Sequence, residues 1–171
     1  MLQLSAVENR RELRDVEEFQ VSGLLADVIE SMGPVFSGKG IQVSLLRPDP
    51  VAIRGERFLI RQALSSLLQN AADFSPPGGV VSVSTQERDS TVEISILDSG
   101  SGIPEYALDK VFDRFYSLRR PDTGKRSSGL GLAFVREVAD LHGGRVTLEN
   151  RPEGGARATM ILPVNPPGRT V

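Results

Sequence analysis

Apolar residues recur along this chain at two spacings, and the points where the spacing changes divide it into helices and strands. Ile60, Ala63, Leu64, Leu67, Leu68 and Ala71 form one stripe at helical intervals, predicting a long helix from about Glu56 to Ala72. Pro76-Pro77-Gly78-Gly79 ends it. Strict alternation follows in Val81/Val83/Thr85 and Val92/Ile94/Ile96, joined by a polar turn around Arg88–Ser90, the clearest hairpin in the chain. A helix from about Gly129 to Leu141 closes on Gly143-Gly144, and a second hairpin is predicted over 145–150 and 156–162, turning at Pro152–Gly155.

Upstream the pattern is weaker. Ser22 reads as the N-cap of a helix through about Met32, with Leu25, Ile29 and Met32 on one face, and Pro34 bends or ends it. Ile41, Val43 and Leu45 alternate like a half-buried strand, with Val51–Arg54 as the expected partner across Pro48–Pro50. In residues 1–18, Leu2, Ala6, Leu13 and Val16 repeat at helical spacing with Asn9 interrupting the seam. This reads as a solvated helix or as the end of a longer helix that pairs with another. Residues 99–128 are loop-rich, with one short helix near Glu105–Lys110. Hairpins without strict strand–helix alternation predict an α+β fold of two layers, a mixed and mostly antiparallel sheet with helices on one face.

Composition narrows the function. A chain of 171 residues, 39% hydrophobic, suffices for one domain with a proper core and an appendage. The net charge of -2 gives no overall field for nucleic acid or membrane. Without cysteine there is no disulfide framework or thiolate metal site. No apolar run approaches the ~18–20 residues of a membrane span. No signal-peptide pattern opens the chain, so a cytosolic setting is the expectation. The sole histidine is His142.

Four stretches carry candidate chemistry. Beside the apolar stripe of the long helix, Gln62, Ser66, Asn70 and Asp73 recur at intervals of four, four and three along one edge. An asparagine carbonyl is a hard oxygen ligand suited to magnesium, although Asn70 alone also fits an ordinary polar position late in a helix. Asp98 follows an apolar strand that would carry it into the core, where it must be paired or hydrogen-bonded. The exocyclic amine of adenine is a suitable donor, and such a charge-assisted bond contributes roughly 1.5–3 kcal/mol. Guanine offers a carbonyl there, so a carboxylate discriminates against it. Gly100 and Gly102 would let the backbone approach the base and turn with positive φ; a plain Asp-Ser-Gly turn reads equally well. Residues 111–126 gather Arg114, Arg119, Arg120, Lys125 and Arg126 near Phe115 and Tyr116, with Asp113 and Asp122 as the acids. They fit a basic lid over a triphosphate, or a solvated loop. A single-stranded nucleic-acid track is not extended by anything else. Gly129 and Gly131 open a helix beside Ser127 and Ser128, a ready phosphate site or a helix-packing pair. Neither glycine segment matches the lysine-bearing phosphate loop or the dinucleotide fingerprint.

Taken in order, LLQNAADFSP (67–76), DSGSGIP (98–104), VFDRFYSLRR (111–120) and SSGLGLAFVREVADLHGG (127–144) resemble the asparagine, first glycine, phenylalanine and second glycine boxes of sensor histidine kinase catalytic domains. Their superfamily includes gyrase, an ATP-driven chaperone family and MutL. The resemblance covers about residues 19–163. It implies a Bergerat-type sandwich of a mixed five-stranded sheet and three helices, with ATP and Mg2+ as cofactors and a mobile lid. It assigns Asn70 to magnesium, Phe74 to the side of the adenine and Asp98 to its amine. Gly100 and Gly102 fall in the first glycine box. Phe112, Arg114 and Phe115 fall in the phenylalanine box, with Asn70 and Arg114 as catalytic candidates. Gly129 and Gly131 match the phosphate-contacting glycines, and Ile103, Tyr116, Arg119, Lys125, Ser128, Leu130 and Leu132 complete the implied nucleotide site.

Departures from the family pattern are informative. Ser66 stands where these kinases usually carry a first asparagine and the hydrolytic relatives a glutamate that activates water, which favours phosphoryl transfer over hydrolysis. Asp73 replaces a frequent lysine, and Arg126 and Ser127 replace glycines. His142 matches a structural histidine, so the phosphate acceptor is expected elsewhere. The implied organisation is a dimerisation-helix tail over 1–18, the catalytic domain over 19–163 and a flexible tail over 164–171. Such a fragment is expected to bind nucleotide but to lack autophosphorylation alone. The implied partners are the protein's own histidine-bearing dimerisation domain, a response regulator receiver domain and a second subunit, with no nucleic acid. A cytoplasmic domain of a parent anchored in the inner membrane is expected. A hydrolytic ATPase and a non-catalytic interaction module of the same fold stay open as alternatives.

Overall fold

The computed structural model describes residues 2–46, 50–119, 124 and 129–167. Along the chain come α1 (Leu2–Glu8), β1 (Glu17–Gln20), α2 (Val21–Ser31), α3 (Gly33–Gly38), β2 (Gln42–Leu46), β3 (Ala52–Gly55) and α4 (Arg57–Phe74). There follow β4 (Val80–Arg88), β5 (Thr91–Leu97), a 3-10 turn at Glu105–Ala107, α5 (Gly131–Leu141), β6 (Arg145–Asn150) and β7 (Ala156–Pro163).

Five strands form one sheet in the order β2-β4-β5-β7-β6, parallel between β2 and β4 and antiparallel elsewhere. Because strand side chains alternate, the register sorts the sheet into two faces. Val83, Ile96, Ala158 and Leu148 lie side by side on the inner face. Ile60, Leu64, Leu67 and Leu68 of α4 and Phe134, Val135 and Val138 of α5 share one core with them. The opposite face carries a row of hydroxyls, Ser84, Ser95, Thr159 and Thr147. Helices therefore cover one face, and the two-layer α+β architecture is as the sequence implies.

Several upstream expectations need correction. The first helix stops at Glu8, and the residues it buries are Leu4 and Val7, against α5, while Ala6 of the expected seam is exposed. The next helix begins at Val21 with Gln20 at its N-cap, two residues before Ser22. α2 does end by Met32 as expected, but Pro34 also sits in the first turn of a further short helix, α3, where its missing N–H costs nothing. The strand at 52–55 pairs with β1, not with β2, in a separate two-stranded sheet, Phe19 opposite Ile53. Alternation reveals which face of a strand is buried but not its neighbour, and the charged, exposed β1 has no apolar signature. Further along, α4 runs two residues past Ala72 to Phe74, and α5 starts at Gly131 instead of Gly129.

α5 ends on His142, which is 1% exposed. Its Nε2 accepts the Glu56 backbone N–H at 3.0 Å, and its Nδ1 lies 2.7 Å from the Val138 carbonyl oxygen. Nδ1 therefore carries the proton and the ring is neutral. Gly55 makes room for it, since a Cβ there would stand 3.0 Å from the ring. The Glu56 carboxylate takes the Arg10 guanidinium at 2.6 Å and the Arg14 backbone N–H at 3.2 Å. One buried cluster thus ties α5, the β3–α4 junction and the N-terminal segment together.

Burial pushes the His142 pKa below its ordinary value, with the Val138 hydrogen bond opposing. The unfolded chain then takes up the proton first as pH falls, so stability is complete above about 6.5 and is lost toward the lower folded pKa. Denaturant titrations at about pH 7.5 and about pH 5.5 should show this loss. His142→Asn should be less stable at both values yet lose less between them; an unchanged difference would place the responsible group elsewhere.

Candidate functional site

The polar edge of α4 faces a cavity of about 480 Å³, within the ~300–1,000 Å³ usual for small-molecule sites. Gln62, Ser65, Ser66, Gln69, Asn70 and Asp73 line one side, and Phe74 closes it at the helix end. Gln69 holds Asp73 by an amide–carboxylate bond of 3.0 Å. The helix C-terminus, where carbonyls lack partners and the dipole is negative, is capped by a cation. Lys39 Nζ reaches the carbonyl oxygens of Ala72 and Ser75 at 2.7 Å each and of Asp73 at 3.3 Å.

Asp98, one residue past β5, forms the deep wall and is 6% exposed. Its Oδ1 accepts the backbone N–H of Gly100 at 2.9 Å and of Ala156 at 3.1 Å. Arg151 donates to its backbone carbonyl at 2.7 Å. Desolvation raises the Asp98 pKa, while the two backbone bonds and the Arg151 charge pull it back down. The result is a carboxylate held by one oxygen beside the cavity, costly to bury and suited to an incoming hydrogen-bond donor.

Glycines shape the walls for three different reasons. Gly100 has ordinary φ but no space, because a Cβ would stand 2.2 Å from the Phe74 carbonyl oxygen. That corrects the expectation of a positive φ there; the expectation holds at Gly102, with φ of 82°. Gly129 combines φ of 75° with a Cβ position 2.5 Å from the Phe115 backbone, and its carbonyl accepts the Phe115 N–H at 2.9 Å. A Cβ on Gly131, by contrast, would meet none of the described residues within 4 Å. Among the described residues nothing demands glycine at that helix start, which borders the cavity and where backbone N–H groups could meet a ligand.

The same fold recurs among known proteins. The profile described as "Histidine kinase-, DNA gyrase B-, and HSP90-like ATPase" matches residues 55–166. The chain belongs to this family. It is a histidine kinase ATP-binding catalytic domain, 43% identical over 162 residues to the sensor protein CreC of Escherichia coli K12, a match covering 95% of this chain and 34% of CreC. The chain thus spans about a third of that relative. The nucleotide-free catalytic domain of histidine kinase ThkA superposes with a TM-score of 0.78 at 26% identity, covering 90% of this chain and 99% of the other. Full-length ShkA in complex with AMPPNP gives 0.81 at 25% identity, covering 99% and 35%. ThkA in complex with the response regulator protein TrrA gives 0.78 at 25%, covering 95% and 45%.

In this catalytic domain the residues singled out from the sequence divide into four groups. Asn70, Phe74, Asp98, Gly102, Ile103, Tyr116, Gly129, Gly131 and Leu132 line the cavity. Gly100 supports it from behind, and Leu130 offers its carbonyl to Phe134 at the start of α5. Arg114 is not brought to the cavity: it pairs with Glu8 of α1 at 2.5 Å and lies over the Phe115 ring. Arg119 and Phe115 are exposed, Phe112 is half-buried, and none of the three lines the cavity. Lys125, Ser128, Arg120, Asp122, Arg126 and Ser127 lie outside the described residues. Missed from the sequence were Met32, Ser65, Gln69, Val111, Ser117, Leu118, Leu148 and Ala156 as lining, and Arg151 and Gly155 as supports of Asp98. Only the glycine doublet at 154–155 carried a signal, and it read as a turn.

The glycines give a paired expectation. Gly100→Ala should destabilise the fold by about 1–3 kcal/mol, the usual cost of forcing atoms into a packed site. Gly131→Ala should leave stability unchanged or slightly raised, because the site is open and alanine suits a helix. Equal losses in denaturant titrations of the two variants would refute the assignment of Gly131 to a ligand.

Proposed function

We propose that this domain binds magnesium-ATP in the cavity and passes the γ-phosphoryl group to a histidine on a separate helical dimerisation domain, for relay to a receiver-domain aspartate. Asp98 carries the reading: a buried carboxylate, fixed through one oxygen and bordering the cavity, in a loop with two constrained glycines. It would accept the adenine amine and reject guanine. Phe74 would flank the base, and the open start of α5 at Gly131 would offer backbone N–H groups to the phosphates.

The metal fits the same donor set. Among the described residues no group of three or more His, Cys, Asp or Glu side chains could hold an ion. That suits magnesium, which takes one or two protein ligands and fills its shell with phosphate and water. Asn70 would supply an amide oxygen. When bound, the ion would supply positive charge to offset that of the phosphates.

Transfer is favoured over hydrolysis by Ser66, which lines the cavity one turn before Asn70 and cannot act as the carboxylate base of the hydrolytic relatives. His142 is no acceptor, since it is buried with both ring nitrogens engaged. We read α1 as the end of the dimerisation helix that precedes the domain, and a response regulator as the downstream partner, as ThkA has TrrA. Among the described residues no helix is long and apolar enough to cross a membrane. Any anchor of the parent protein would lie in other segments.

Calorimetric titration with a non-hydrolysable ATP analogue, with and without magnesium, tests the reading. Binding should be magnesium-dependent; no heat at millimolar nucleotide would leave only an interaction module. Asp98→Asn should weaken adenine nucleotides by more than about 1 kcal/mol while leaving the unliganded fold no less stable, because the ionised carboxylate is costly to bury. Wild-type affinity should fall as pH drops through the raised Asp98 pKa, where the acceptor becomes protonated, and this dependence should vanish in Asp98→Asn. Asn70→Ala should chiefly remove the magnesium dependence, and a variant still responding fully to magnesium refutes the metal role. With a separately supplied histidine-bearing helical domain, radiolabel from ATP should appear on that partner and not on His142.

A further inference from the structure

Residues 98–103 line or support the cavity yet belong to no helix or strand. A segment of this kind holds its shape only through bonds from outside it. Beyond Asp98 and Ser99, whose Oγ accepts the Val80 backbone N–H at 3.0 Å, those bonds come from Asn150, the last residue of β6. Its Oδ1 accepts the Ile103 backbone N–H at 2.7 Å, and its Nδ2 donates to the Ile103 carbonyl at 2.7 Å. One side-chain amide therefore satisfies both main-chain groups of Ile103, as a neighbouring strand residue would. Gly102 is shaped to this contact, with φ of 82° and a Cβ position 2.7 Å from Asn150 Oδ1.

The clamp joins the base end of the cavity to its floor. The same β6–β7 hairpin places Leu148 and Ala156 in the cavity lining, and Ala156 also donates to Asp98. Asn150 itself does not line the cavity; it sets the separation of Ile103 and Gly102 from that floor. Only asparagine presents a donor and an acceptor at the right reach. Aspartate lacks the donor, serine offers one atom, and glutamine is a methylene longer.

We propose that Asn150 is a positioning residue for base recognition, pegging the Gly102–Ile103 segment so that the adenine slot is formed before the ligand arrives. The proposal rests on the reading of the cavity as an adenine-nucleotide site. Preorganisation of this kind raises affinity by removing an ordering cost from binding.

Equilibrium titrations of the whole chain with ATP and with GTP, in magnesium, test it in wild type, Asn150→Ala and Asn150→Ser. Loss of two hydrogen bonds should weaken ATP by about five- to tenfold in Asn150→Ala. GTP, which Asp98 rejects and the slot does not hold, should keep its weak affinity, so the preference for ATP contracts. Asn150→Ser, with one partner left for Ile103, should fall between. Without nucleotide, the Ile103 amide should exchange with solvent faster in Asn150→Ala than in wild type. Unchanged ATP affinity, an equal loss for ATP and GTP, or unchanged exchange at Ile103 would each overturn the positioning role. A wild type that binds no adenine nucleotide would instead overturn the reading of the cavity, and the proposal with it.

Discussion

A carboxylate buried at the end of β5 is the constraint around which the rest of the site is arranged. Left alone in the core, Asp98 would cost several kcal/mol or simply stay protonated. It is tolerated because three separate segments converge on it: Gly100 from its own loop, Ala156 at the start of β7 and Arg151 from the turn before. Convergence leaves no room for side chains. A Cβ on Gly155 would stand 2.1 Å from the Asp98 carbonyl, and one on Gly100 2.2 Å from that of Phe74. The end of α4, the base loop and the β6–β7 hairpin are therefore fixed relative to one another by a group whose burial opposes folding. Stability is given up at this point in return for a polar atom at the cavity wall.

Much of this arrangement was legible because it is local in sequence. The stripe on α4, the alternation in β4 and β5 and the polar strip through Asn70 each follow from one periodicity, and each is present as expected. Asp98 was legible for the same reason, as the residue after an apolar strand. What stayed hidden depends on which segments meet. β1 has no apolar pattern because Phe19 is its one apolar residue and backbone pairing with β3 supplies the rest of its hold. Gly100 could be marked as special but not explained, since its reason is a carbonyl on another element. Arg114 could be recognised as a basic group near the lid, but its partner Glu8 belongs to a helix far away in the chain.

The N-terminal segment is integrated with the fold, not appended to it. Leu4 and Val7 pack on α5, and Arg10 meets the nearly inaccessible Glu56 beside His142. Removing one member of such a buried pair typically costs about 3–5 kcal/mol, because the other charge is stranded. Any element preceding α1 would thus be mechanically continuous with the helix whose opposite end borders the cavity.

The backbone bond between Phe115 and Gly129 has a consequence for how this domain can diversify. It brings two distant points of the chain together at a fixed neck, so the stretch between them is an excursion whose ends do not move with its length. Closing such an excursion depends only logarithmically on residue number, and doubling it adds about 0.6 kcal/mol. Beyond Tyr116, Ser117 and Leu118, which line the cavity, changes of length in that stretch should cost the rest of the fold little.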